Sequence, residues 1–257
     1  MTATYSLTGK AALITGASRG NGIRTAEKFA RAGADVFLAA DDPEPLMEAA
    51  AARCRDANPG GRVAWGRFDL AEPAAPVEMV DAAVTALGRV DILINNVGIR
   101  SPHAFGEYSC ADFDKLIAVN LRAAFLASQA VLPSMRALGG GRIIHVASQL
   151  GIVAYKETAL YGVAKAGLIY LARAMACELA KDNILVNTIS PGVIMSEINV
   201  ERVKNNPALL AERVAEIPAG RYGEPEEIAD AILYLAAGAP AYLQGHNFVV
   251  DGGYINH

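Results

Sequence analysis

The chain of 257 residues is poor in several things, and each shortage excludes something. It has only three cysteines, Cys54, Cys110 and Cys177, far apart and odd in number. That argues against a disulfide framework or a zinc knuckle, and no metal site is expected. It has no basic excess: 23 Lys and Arg face 27 Asp and Glu, for a net charge of −4. A nucleic-acid footprint is therefore not expected. Charged residues make up only 19% against 53% hydrophobic, which excludes a disordered or acidic-tail protein. No basic n-region and apolar h-region follow Met1, so no secretory signal is expected. The most apolar long stretch, Thr158–Ala176, is interrupted by Lys165 and Arg173, so no membrane span or membrane partner is expected. There is no G-x-x-x-x-G-K-[ST] P-loop, which disfavours nucleotide hydrolysis. Internal repeats and low-complexity linkers are missing too. These bounds point to a reducing, cytoplasmic setting.

What is present is alternation. Short β-branched runs at Lys10–Thr15, Asp35–Ala40, Arg62–Phe68, Val90–Asn95, Gly141–Ser148, Ile184–Ser190 and Asn247–Val250 read as strands. Several are apolar throughout, as strands buried on both faces are. Between them, Gly22–Ala32, Pro45–Ala57, Ala74–Leu87, Ala111–Leu138, Thr158–Ala180 and Pro225–Ala237 read as helices. Gly33 and Gly88 follow two of these, and Pro225 sits just inside the start of the last. The pattern predicts an α/β fold: one doubly wound, Rossmann-type domain over residues 1–257, with a mainly parallel sheet and helices on both faces. An eight-stranded barrel is the rival at this length. Seven strands, with the Gly-rich turn after the first, favour the open sheet. The segment Val193–Ala219 lacks periodicity and reads as a substrate loop or lid.

After the first strand comes Thr15-Gly16-Ala17-Ser18-Arg19-Gly20-Asn21-Gly22. Glycines there let backbone N–H groups meet a pyrophosphate at a helix N-terminus, although glycine also serves ordinary turns. Tyr161 and Lys165, four residues apart, share one helix face. A nearby ammonium favours the phenolate and brings a tyrosine toward working pH. Alone, Tyr-x3-Lys is common on helix surfaces. Ser148, however, ends the fifth strand, and ligands of open α/β sheets sit beyond the carboxyl ends of strands.

With these pieces in this order, the chain resembles the short-chain dehydrogenase/reductase family from about Leu7 to Tyr254. The resemblance rests on Thr15-Gly16-x3-Gly20-x-Gly22, Asp69, Asn95-Asn96-Val97-Gly98, Asn120, Ser148, Tyr161-x3-Lys165 and Pro191-Gly192. It implies a nicotinamide-dependent oxidoreductase with strand order 3-2-1-4-5-6-7. Tyr161 would exchange the proton and Ser148 would hold the substrate oxygen. Lys165 would bind the nicotinamide ribose and lower the Tyr161 pKa, and Asn120 would hold a water leading from Lys165 to solvent. Gly16, Ser18, Arg19, Gly20, Asn21 and Gly22 would meet the diphosphate side of the cofactor. Asp69 and Leu70 would contact the adenine, Asn96 and Gly98 the ribose, and Ile194 and Ser196 the carboxamide end. Three residues depart from the usual pattern: Asn21 for an aliphatic residue, Val97 for Ala, and Ser196 for Thr. The resemblance also implies a homotetramer built through the two long Ala- and Leu-rich helices, with a second contact at the C-terminal strand.

At the end of the second strand stand Asp41 and Asp42. A carboxylate there accepts from an adenosine ribose and repels a 2′-phosphate, so NAD is expected, with NADP possible because Arg19 opposes them. Arg100, His103, Gln149 and Tyr155 are the candidate substrate residues, with Lys156 nearby. They suit a small hydroxylated or carboxylate-bearing molecule such as a sugar acid or polyol. A 3-oxoacyl thioester reductase is the enzymatic alternative, but it would want a basic docking patch that is not evident. A cofactor-sensing regulator would be expected to lack Ser148, Tyr161 or Lys165. His145 reads as a packing residue.

Overall fold

In the computed structural model, residues 5–197, 199–200, 204 and 212–256 are described. Seven strands form one sheet: β1 (Ala11–Thr15), β2 (Asp35–Ala40), β3 (Val63–Arg67), β4 (Ile92–Asn95), β5 (Gly141–Val146), β6 (Ile184–Pro191) and β7 (Asn247–Val250). All pairs are parallel, in the order β3-β2-β1-β4-β5-β6-β7. Every residue of β1, β4 and β6 is buried, which is why these segments read as apolar runs.

Among the described residues these helices flank the sheet: α1 (Gly20–Arg31), α2 (Glu44–Ala57), α3 (Ala75–Leu87), α4 (Cys110–Ile117), α5 (Ala123–Ala137), α6 (Ala159–Leu179) and α7 (Pro225–Leu233). Because successive strand residues point to opposite faces, Ala12 and Ile14 join one core with Phe29, Met47 and Ile232. Ala11 and Leu13 join the other with Met79, Val131, Met135 and Ala172. Pro225 opens α7 beneath a capping box between Glu224 and Glu227. The chain winds outward in opposite directions from β1 and β4, so a crevice opens at their carboxyl ends, where the site must lie.

Several expected boundaries move. Lys10, Arg62, Phe68 and Ser148 lie outside their strands, and α1 begins at Gly20. The stretch 111–138 is not one regular helix: a π-turn at Ala118–Arg122 separates α4 from α5. Another π-turn, Tyr234–Gly238, ends the run begun by α7. Two helical stretches, Cys110–Ala137 and Ala159–Asp182, are long and apolar enough to cross a membrane by length and composition, contrary to expectation. Here their apolar stripes lie on the sheet through Ala127, Val131, Ala172 and Ala176. Part of the expected lid lies outside the described residues; of the remainder, Ile194 bridges Gly223 and residues 212–215 are helical.

Candidate active site

The Gly-rich turn is held by contacts that leave no room for side chains. A Cβ on Gly22 would lie 2.0 Å from the Gly16 carbonyl oxygen, and Gly16 itself has φ +64°. Asn96 ties this turn to β4: its side-chain amide donates to the carbonyls of Thr15 (2.9 Å) and Gly16 (3.2 Å). The Thr15 hydroxyl accepts from the N–H groups of Asn96 (2.9 Å) and Val97 (3.0 Å). The Gly20 N–H donates to the Glu197 carboxylate at 3.1 Å, so this helix N-terminus already engages an anion. The buried Asn21 Oδ1 has no hydrogen-bond partner among the described residues. A turn that brings bare backbone to the crevice, with a carboxylate on its N–H, fits the diphosphate of a dinucleotide.

At the rim, Asp42 is engaged: it accepts from the Ser18 hydroxyl and pairs with Arg19. Asp41 is 63% exposed and approached by Arg67 at 3.9 Å. The carboxylate that meets the turn is therefore Asp42, where sequence reasoning set Asp41 foremost. Asp69 caps its own turn by accepting from the Ala71 N–H, and Leu70 is buried beside α3.

Farther along the crevice is a cavity of about 330 Å³. Tyr161 and Lys165, on α6, line it together with Ser148, which follows β5. Burial pushes the Tyr161 pKa up, while the Arg100 cation and the neighbouring Ser148 hydroxyl pull it back. The Arg100 guanidinium lies 5.2 Å from the Tyr161 ring centroid and the Lys165 ammonium 5.7 Å. Lys165 is 2% exposed and donates to the Val146 carbonyl at 2.8 Å; burial lowers its pKa to about 8. Arg100 is thus a nearby charge that eases Tyr161 ionisation, beside the Lys165 that the family resemblance implied. Gly98 is where Lys165 passes, since a Cβ there would stand 3.1 Å from the ammonium.

Asn120 lies in the π-turn behind this group, 1% exposed. Its side chain accepts from the Ile99 N–H (2.8 Å) and donates to the Ile99 carbonyl (2.9 Å), clamping the loop after β4. Below, fully buried His145 meets the Asn95 amide at 3.1 Å and leaves Nε2 without a partner among the described residues.

The cavity brings together Arg19, Gly20, Asn21, Asn96, Gly98, Ser148, Tyr161, Lys165, Ile194 and Ser196, with Arg100, Gln149 and Tyr155 of the expected substrate residues. Gly16, Ser18, Gly22, Asp41, Asp69, Leu70 and Asn120 do not line it. His103 does not line it either: its ring lies 3.9 Å from Asp112 and edge-on to Tyr108, away from the cavity lining. Residues that sequence reasoning missed are Glu197, Asn199, Arg213 and Tyr222. Arg213 stacks on Tyr155 at 3.7 Å. Aperiodic sequence around Arg213 carries no signal that would place it there.

A parallel sheet with this crevice, turn and Ser–Tyr–Lys group defines a dinucleotide-binding oxidoreductase. Comparison with known proteins agrees. The family profile described as enoyl-(acyl carrier protein) reductase matches residues 16–255. A D-threitol dehydrogenase of Mycolicibacterium smegmatis is 37% identical over 252 residues, covering 97% of this chain and 94% of that protein. A 3-oxoacyl (acyl-carrier-protein) reductase of Agrobacterium tumefaciens, solved with NADP bound, superposes with TM-score 0.92 at 32% identity over 98% and 96% of the two chains. A protein of the same organism assigned as a 2-deoxy-D-gluconate 3-dehydrogenase, also with NADP bound, gives 0.86 at 34% over 99% of each. The chain belongs to the short-chain dehydrogenase/reductase family. It is an NAD(P)-dependent oxidoreductase.

Proposed function

We propose that this protein interconverts a secondary alcohol and a ketone on a small polar substrate, hydroxylated or carboxylate-bearing, such as a polyol or sugar acid. The observation that carries this reading is the convergence of Ser148, Tyr161, Lys165 and Arg100 on one cavity. Tyr161 passes a proton to the carbonyl oxygen or takes it from the alcohol, and Ser148 orients that oxygen. Lys165 binds the cofactor ribose, and Asn120 fixes the loop that carries Gly98 and Arg100. A bound nicotinamide supplies or accepts the hydride. Relatives named for threitol and deoxygluconate lend support to small polyhydroxylated substrates.

NAD is the preferred cofactor in this reading. Asp42 occupies Arg19, the cation that would otherwise receive a 2′-phosphate, and Asp41 adds a second negative charge at that rim. Related structures hold NADP, and paired assays with both cofactors test the preference. The protein works in the cytoplasm as a homotetramer on the same reading.

The test is NADH and NADPH consumption with sugar acids, polyols and their ketones, cyclic ketones and a 3-oxoacyl thioester. Tyr161→Phe should lower turnover by ~10²–10⁴-fold, the usual worth of general acid–base catalysis, while cofactor affinity survives. Turnover of that variant within a few-fold of wild type, or an exclusive preference for the thioester, would overturn the proposal.

A further inference from the structure

We infer that Arg100, seconded by Arg213 and Gln149, forms a carboxylate-recognition site, so that the substrates are hydroxy and oxo acids rather than neutral polyols. This deepens the oxidoreductase reading above and rests on it. Three observations converge in the substrate end of the cavity. Arg100, on the loop after β4, lays its guanidinium over the Tyr161 ring and has no carboxylate partner among the described residues. Among the described residues its fork of N–H donors meets no acceptor. Arg213 lines the same cavity, stacked on Tyr155, with Glu216 at 3.6 Å as its ion-pair partner. Gln149 is 4% exposed and lines the cavity, yet its Oε1 finds no donor among the described residues.

A buried acceptor without a donor is costly, and a substrate hydroxyl is the kind of donor that satisfies it. Two guanidinium groups on aromatic faces suit planar, bidentate capture of a carboxylate. Because Arg100 sits over the ring of Tyr161 itself, a carboxylate held there lies only a few bonds from the carbon being reduced or oxidised. Short-spaced acids fit this arrangement, with the carboxylate one to three carbons from the carbonyl at ordinary bond lengths, about 1.5 Å each.

The decisive comparison sets an acid against its amide, which keeps the shape and removes the charge. Reduction of 3-oxobutanoate and 4-oxopentanoate is measured beside that of 3-oxobutanamide and 4-oxopentanamide, each with saturating cofactor. Wild type should favour the acid by ~10–10²-fold in kcat/KM, the range of a charge-assisted hydrogen bond. Arg100→Gln should collapse that ratio toward unity, chiefly through KM for the acids, and Arg100→Lys should restore part of it. If Arg100 served Tyr161 alone, acid and amide would fall together and the ratio would persist, which overturns the inference. A wild-type preference for the amide, or equal rates, overturns it without any variant. Should cyclohexanone be reduced and no oxo acid be reduced, the carboxylate site fails while the enzyme class stands. Should no carbonyl compound be reduced, the class reading fails. Calorimetric titration of the NAD-loaded protein with 3-oxobutanoate and its amide still reads the site, and absence of selective acid binding refutes it.

Discussion

Arg19 and Asp42 set the cofactor rim by mutual neutralisation. Arg19 is half exposed, but its charge is spent on Asp42, which also draws in Ser18. Asp42→Asn should release Arg19 and raise NADPH efficiency relative to NADH by ~10-fold or more, the size of one close charge contact moderated by solvent. Steady-state kinetics with both cofactors checks this, and an unchanged ratio would place discrimination elsewhere. At this scale, residue types were legible where the backbone dictates them. Gly16, Gly22 and Gly98 announce close approach, and the structure finds one at each. Which of two adjacent aspartates turns inward was not legible, because that choice depends on Ser18 and Arg19 reaching across from another loop.

The π-turn is the element that sequence periodicity missed. Ala111–Leu138 reads as one helical run because a single extra residue in a turn shifts the apolar stripe without breaking it. Its effect is to set Asn120 against the loop after β4, where the two hydrogen bonds to Ile99 satisfy part-buried main-chain groups. Asn120→Ala removes both bonds, so the protein should lose about 1–3 kcal/mol, taking ~0.5–1.5 for each hydrogen bond. Urea unfolding measures the loss; a change below experimental error would show that water replaces the amide without penalty. His103 was misread for a related reason. Asp112 belongs to the capping box that starts α4 with Ser109, and that carboxylate keeps the imidazole near it. The strands were legible because apolar, β-branched segments alternate with helical ones. The region 193–219 was not, since its residues meet the cavity through loop geometry that has no period.

At the scale of the molecule, α4, α5 and α6 expose Phe113, Phe125, Val163 and Tyr170 beyond the stripes spent on the sheet. Apolar surface of this kind calls for a covering partner, and light scattering should return four chain masses; a monomer at micromolar concentration would refute the tetramer. Acid should unfold the protein through His145. Burial first, and Lys165 second, hold its pKa down to about 3, below the ordinary value near 6.5. Neutral His145 therefore contributes its full stability above about pH 6.5, and that contribution drains away as pH falls toward 3. Between pH 7 and pH 5 the loss should be about 2 kcal/mol. Thermal melts of wild type and His145→Asn over that range should converge at low pH, and parallel curves would clear His145. The Glu197 contact with Gly20 carries the last consequence. The Glu197 carboxylate already holds an N–H that a diphosphate would take, so an incoming dinucleotide has to displace it. Its affinity is then the difference between two anions competing for one N–H.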